Sequence, residues 1–237
     1  MDMRKLSLGL SFVAMAVFAA CGDDSGNNST NEGSVVAETL IDDRDGQTYR
    51  TVKIGDQVWM AENLNYRNLG PTADDDSSSF CYDNDLANCT KYGRLYTWEA
   101  AVGRECGFGG KDCGPGAGIV RGVCPEGWHL PSAAEWDVLL TAVGDFSTAG
   151  TKLKSVTGWN EYEGKSGNGE DVYSFSVLPA GIRSSGYDSE GSSAFFWSST
   201  EKGAESAYNV DMHHNGGGVG RHYDSKHRAF SVRCLKD

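Results

Sequence analysis

Cysteine usage constrains this chain more than any other feature. There are seven cysteines, at positions 21, 81, 89, 106, 113, 124 and 234. An odd number in an exported chain requires a separate account of one of them. Cys21 stands apart, directly after an apolar N-terminal run, and the other six lie far downstream. No Cys-x-x-Cys occurs, so the usual zinc spacing is missing and disulfides are the expected use. Six cysteines allow many pairings. Short spacing favours Cys81–Cys89 and Cys106–Cys113 as local clips, which leaves Cys124 and Cys234 to tie the middle of the domain to its last strand. Closing a loop that long restricts the unfolded chain by about 4–5 kcal/mol in the entropic account.

The first twenty residues are read as an address. Arg4 and Lys5 give a short positive region, and Leu6 to Ala20 is apolar apart from Ser7 and Ser11. This run is too short for a comfortable membrane span of about 20 residues and fits the core of a secretory signal. It ends Phe18-Ala19-Ala20-Cys21, which resembles the lipobox of bacterial lipoproteins, with Phe18 where the family usually has Leu. The resemblance implies that Cys21 is acylated and becomes the first residue. The alternative is an ordinary signal cleaved near Ala20, with Cys21 left free. Acylation leaves an even six cysteines for three disulfides. The expected location is therefore outside the cytoplasm, lipid-anchored to the cell envelope, at the outer membrane or cell surface.

Residues 21–37 comprise the lipidated cysteine and a stretch of Gly, Asp, Ser, Asn and Thr that cannot form a core and reads as a flexible linker. The remaining residues, 38–237, have the length of one domain. The chain is 39% hydrophobic, enough for a core. Its formal net charge is −12, and removal of residues 1–20, with Arg4, Lys5 and Asp2, takes it to −13. Such a surface repels nucleic acid, so no nucleic-acid partner is expected.

The coarse pattern is mixed. Gln47–Ile54 and Gln57–Met60 flank Gly55-Asp56 and predict a hairpin. Ser132–Val143 is the strongest helix: Ser132 and Glu135 form a capping box, and Trp136, Leu139, Leu140 and Val143 share one face. Further helices are expected over Tyr92–Val102 and near Thr148–Ser155. Strands are expected over Asp171–Pro179, Phe195–Ser199, Ser206–His213 and Ala229–Leu235.

Several segments carry a family likeness. They are Asp45-Gly46-Gln47-Thr48-Tyr49, Gln57-Val58-Trp59-Met60-Ala61-Glu62-Asn63-Leu64, Tyr92-Gly93-Arg94-Leu95-Tyr96-Thr97-Trp98, Cys124-Pro125-Glu126-Gly127-Trp128-His129-Leu130-Pro131-Ser132, Phe196-Trp197-Ser198-Ser199-Thr200 and Ser231-Val232-Arg233-Cys234. Together they resemble the Fibrobacter succinogenes major paralogous domain family, across residues 38–237. The likeness assigns no activity. More distantly, Gly127 to Trp136 is similar to the helix start of formylglycine-generating enzymes, and the last two segments resemble C-type-lectin-like domains. This implies an α+β, C-type-lectin-like domain with small antiparallel sheets, two to three helices, long loops and disulfides. Fold likeness carries no function by itself.

Trp59, Trp98, Trp128, Trp136 and Trp197 sit in strand and helix motifs and are expected in the core. Trp159 and Tyr162 lie in a polar, glycine-flanked loop. His213, His214, His222 and His227 cluster late, around Gly216-Gly217-Gly218. No His-Glu-x-x-His occurs, and adjacent histidines on a strand face opposite ways, so no metal is expected. Asp42 to Gly46 fails the EF-hand frame because Ile41 falls at the first ligand position. Only Cys234 lies near the C-terminus, so the two-cysteine oxidase chemistry is missing. No Gly-x-Ser-x-Gly elbow occurs. A Ser-His-Asp or two-carboxylate hydrolase stays open, because such sites assemble in space. The expectation is a non-catalytic module without cofactor that binds a polysaccharide or an envelope protein. The binding surface is expected on two loops, 158–169 and 213–223, through Trp159, Tyr162, Arg221, His222 and Tyr223. The alternatives are a structural envelope protein without soluble ligand and a divergent hydrolase.

Overall fold

A computed structural model describes residues 38–68, 78–103 and 118–237. It is an α+β structure of two sheets with four short α-helices among the described residues. The predicted hairpin forms as β2 (Thr48–Ile54) and β3 (Gln57–Met60), turning at Gly55, whose φ of 60° suits glycine. β1 (Glu38–Ile41) adds to β2. The far end of the chain, β13 (Leu235–Lys236), then pairs with β3 and with β6 (Trp128–His129), giving the order β1-β2-β3-β13-β6. Both ends of the described domain therefore meet in one sheet.

The second sheet holds β4 (Ser79–Phe80), β5 (Leu95–Thr97), β7 (Ala180–Arg183), β8 (Tyr187–Glu190), β9 (Ser193–Gly203), β10 (Ser206–His213), β11 (Val219–Ser225) and β12 (Ala229–Ser231). Its order is β11-β10-β9-β7-β12-β5-β4, with β8 on β7. The antiparallel β9-β10-β11 meander dominates it, and β11 forms an edge.

The best helix on sequence, α3 (Ala133–Val143), has the anticipated capping box between Ser132 and Glu135. It buries Trp136, Leu139, Leu140 and Val143 in a core shared with Trp59, Phe175, Phe196, Val210 and Met212. Trp59 and Trp136 lie 4.6 Å apart between ring centres. A second core gathers Trp98, Trp128, Trp197, Phe230 and the Cys124–Cys234 disulfide. The five core tryptophans expected from the motifs are all buried. Cys81 and Cys89 are also bonded. Cys21, Cys106 and Cys113 lie outside the described residues.

Three expectations need correction. No helix spans Tyr92–Val102. α1 (Leu86–Tyr92) ends where that helix was to begin, because Gly93 takes φ 73° at a point where a Cβ would stand 2.8 and 2.9 Å from the Asn63 and Leu64 carbonyls. β5 and the short α2 (Trp98–Val102), capped by Thr97, follow. Asp171–Pro179 is no regular strand. Asp171, Ser174 and Ser176 adopt positive φ, and the Asp171 side chain accepts hydrogen bonds from the Ser176 amide and hydroxyl instead. Finally, Ala229–Leu235 is interrupted between β12 and β13 at Val232–Cys234, where Arg233 and Cys234 turn their side chains into the interior.

A groove between two loops, built on a buried lysine

The short helix α4 (Ala149–Leu153) ends at Lys154, and this residue organises the candidate site. Lys154 is buried. Its ammonium donates to three backbone carbonyls: Gly167 at 2.7 Å, His213 at 3.0 Å and Gly216 at 3.0 Å. The first acceptor belongs to the loop after Trp159; the others flank the β10–β11 turn. One charged group thus ties together the two loops singled out on sequence. Burial holds the Lys154 pKa below the ordinary lysine value. No carboxylate pairs with it among the described residues. Its compensation is the three carbonyl dipoles and the face of Trp159, 4.8 Å from the ammonium.

The glycine run 216–218 serves this assembly. A Cβ on Gly217 would stand 2.4 Å from Thr151 Oγ1, and one on Gly150 would stand 2.5 Å from the Gly218 carbonyl. Thr151 N donates to Gly217 O at 3.0 Å. The backbone that the glycines admit is α4 of the same chain.

The groove has a volume of about 200 Å³ and is lined by Thr151, Lys154, Tyr162, Lys165, Ser166, Asn168, His214, Asn215, Gly216 and Gly217. Tyr162 and Lys165 exchange backbone hydrogen bonds at 2.9 Å across a tight turn, with Glu163 and Gly164 at positive φ. This turn holds the Tyr162 ring, 43% exposed, edge-on to His214 at 5.4 Å. The Nδ1 atom of His214 is buried without a hydrogen-bond partner. The lining therefore offers an aromatic edge, amides, hydroxyls and cations, and no carboxylate.

Of the residues expected to form the surface, Tyr162 alone lines the groove. Trp159 is only 5% exposed. Its indole N–H donates to Ser155 Oγ and to the Val177 carbonyl at 3.2 and 3.0 Å, so it is a core residue. The segment 213–223 is only partly loop, because β11 begins at Val219. Arg221 pairs with Asp137 of α3. Tyr223, 59% exposed, packs edge-on to Tyr208 on the same strand pair. His222 points to the opposite face, where its Nδ1 donates to Asp211 Oδ2 at 2.7 Å. Lys165 and His214 lie on the two expected loops without having been singled out as binding residues, and Lys154 lies outside both. A lysine at the end of a short helix looks like surface, and only the tertiary contacts reveal it as buried.

His222 belongs to a second cluster. Asp211, buried on β10, has His222 on one oxygen and His213 Nε2 at 3.3 Å from the other. Ser193 Oγ lies 2.8 Å from His213 Nδ1. The strand register brings these together, with Ser193 opposite His213 and Gly220 opposite Asp211. Among the described residues no three His, Cys, Asp or Glu side chains are placed to hold a metal ion.

The Fibrobacter succinogenes major domain matches residues 52–236, most of the chain. The chain belongs to this family. No curated protein and no solved structure matches it. The Fibrobacter major domain thus contains α3, both described disulfides and the whole Lys154 groove. Its family motifs mostly build the two cores: Trp59, Trp98, Trp128, Trp136 and Trp197 are all interior.

Proposed function

We propose that this domain is a non-catalytic binding module of the cell envelope that takes a polysaccharide in the groove lined by Tyr162 and His214. The observation that carries the reading is the lining itself. Sugar rings present an apolar face and a polar edge, and the groove pairs an exposed aromatic ring with amides and hydroxyls from Thr151, Ser166, Asn168 and Asn215. The loops are held by a buried ammonium and by α4, so little ordering is left for binding to offset. An envelope protein is the alternative partner, and a structural role without soluble ligand is the alternative function. The net charge of −12 argues against nucleic acid.

The proposal includes the setting. Cys21 would carry the lipid, residues 21–37 would act as tether, and the domain would face away from the cytoplasm. Two disulfides agree with an oxidising compartment. A C-type-lectin-like arrangement is part of the same proposal, supported by the pairing of the two ends through β13 and by irregular segments on a small sheet framework.

A glycan array probed with the full chain tests the reading. Binding should appear and should be lost in the Tyr162→Ala, His214→Ala double variant. A folded double variant that binds within threefold of the parent would place the site elsewhere.

One observation favours a second reading. Ser193 Oγ hydrogen-bonds His213 Nδ1, and Asp211 Oδ1 lies 3.3 Å from His213 Nε2 without hydrogen-bonding it, a loose version of the hydroxyl–imidazole–carboxylate series that activates a nucleophile. Ser193 is 7% exposed and does not line the groove, so binding is preferred. Ester turnover that disappears in Ser193→Ala would reverse that preference.

A further inference from the structure

A second buried cation, without a direct ion pair, lies away from the groove. Arg233 is 1% exposed and sits between β12 and β13. Its guanidinium donates to Asn63 Oδ1 at 2.9 Å, to the Phe175 carbonyl, and to the Ser176 carbonyl at 2.9 Å. Phe175 and Phe196 flank it at 4.5 and 5.5 Å. Every one of these partners is neutral. Asp171, which holds Ser176, and Glu62 act on the guanidinium only through space, and no carboxylate forms a direct ion pair with it among the described residues. Hydrogen-bonding needs are largely met, but the charge is not. A buried cation without a counter-charge is costly, and removing its partner charge is among the most destabilising changes known.

Arg233 lines a cavity of about 280 Å³, as do its partners Asn63 and Ser176. The other walls are Tyr49 and Arg50 of β2, Glu62, Asn65, and the end of α1 from Cys89 to Gly93. The charged lining is Arg50, Lys91 and Arg233 against Glu62 alone. Glu62 is already engaged by the Arg50 amide at 2.7 Å and its Nε at 3.4 Å, and Lys91 reaches Glu190 at 3.8 Å. That leaves Arg233 as the charged group of the lining without a direct ion pair. A second observation points the same way. Asn65 Oδ1, in the same wall, is a buried acceptor without a donor. The cavity therefore presents a cation without a contacting carboxylate and an acceptor without a donor.

We propose that this cavity is a binding site for a small sugar acid of the uronate type, whose carboxylate balances Arg233 and whose hydroxyls donate to Asn65. A uronate carries both groups on one ring, and its size suits a cavity of this volume. The assignment does not depend on the groove at Tyr162.

The test is a titration of the full chain with glucuronate, glucose and acetate, followed by the Arg233 Nε–H resonance and by thermal stability. Glucuronate should shift that resonance and raise the melting temperature. Glucose should do neither, and acetate should bind at least about tenfold more weakly. Thr90→Trp places a large side chain at an exposed position on the rim and should abolish the shift without unfolding the domain. Arg233→Gln should abolish binding; if that variant does not fold, Thr90→Trp decides. No response to millimolar glucuronate, equal responses to acetate and glucuronate, or an unchanged response in Thr90→Trp would each overturn the proposal. Tyr162→Ala, His214→Ala should leave the response intact, which separates failure here from failure at the groove.

Discussion

Lys154 and Gly167 are joined by a 2.7 Å hydrogen bond from a buried ammonium to a backbone carbonyl. The same ammonium reaches the carbonyls of His213 and Gly216. Lys154→Met keeps the aliphatic length and removes all three donors, leaving three carbonyls without their charged partner. The expected loss of stability is about 2–3 kcal/mol, read by denaturant unfolding. Glycan binding should weaken further than stability alone requires, since the loops lose their common anchor. A variant as stable as the parent, with unchanged amide exchange in residues 165–168 and 213–218, would remove Lys154 from this role.

The Cys124–Cys234 disulfide spans 110 residues and lies within the core that holds Trp98, Trp128 and Trp197. Cys124→Ala, Cys234→Ala should cost about 4–5 kcal/mol through the entropy of the unfolded chain, with two cavities of sulfur size adding to it. The matching double change at Cys81 and Cys89, which closes a loop of sequence separation 8, should cost less. Urea midpoints of the two variants decide the order; a smaller loss at 124/234 would contradict the loop-length argument.

The parts of this structure legible in sequence are those fixed by short-range rules. The Ser132 capping box, the Gly55 turn and the tryptophan positions depend on neighbours a few residues away, and they were readable for that reason. Trp159 was not: its flanking glycines and acids look like a surface loop, yet Ser155 and Val177 satisfy its indole from outside that loop. Asp171–Pro179 forms no regular strand because the Asp171 carboxylate captures the backbone amide of Ser176, five residues later. The candidate site was half readable. The glycine run marked the right turn, but its purpose, admission of α4, required knowing that Thr151 sits against Gly217. Lys154 and Arg233, both buried cations, have the same composition signature as surface residues.

The anchor proposal makes a separate prediction. Cys21→Ser should move the protein from the membrane fraction to the soluble fraction without changing the fold of residues 38–237. Mass spectrometry of the parent should find an acylated Cys21 at the mature N-terminus. An unmodified mature N-terminus would exclude lipidation.

His129 links the C-terminal residue to the start of α3. Its Nδ1 lies 2.7 Å from Asp237 Oδ1 and its Nε2 lies 3.1 Å from Glu135 Oε1. Burial lowers the His129 pKa, but hydrogen bonds and charge from Glu135 and Asp237 outweigh it and hold the value above 6.5. For Glu135, burial raises the carboxyl, and His129 with the Ser132 amide and hydroxyl outweigh it, holding the value below 4.5. A histidine with a raised folded pKa contributes stability that is complete below about pH 6.5 and is lost as pH rises through the folded value. A glutamate with a lowered folded pKa contributes above about pH 4.5 and loses it as pH falls through its folded value. The clamp is therefore strongest between these limits. Melting temperatures across pH 4–9 should decline on the alkaline side of the window, and His129→Gln should flatten that decline while leaving the acid limb partly in place through the Ser132 capping box. An alkaline limb unchanged in the variant would show that another group sets it.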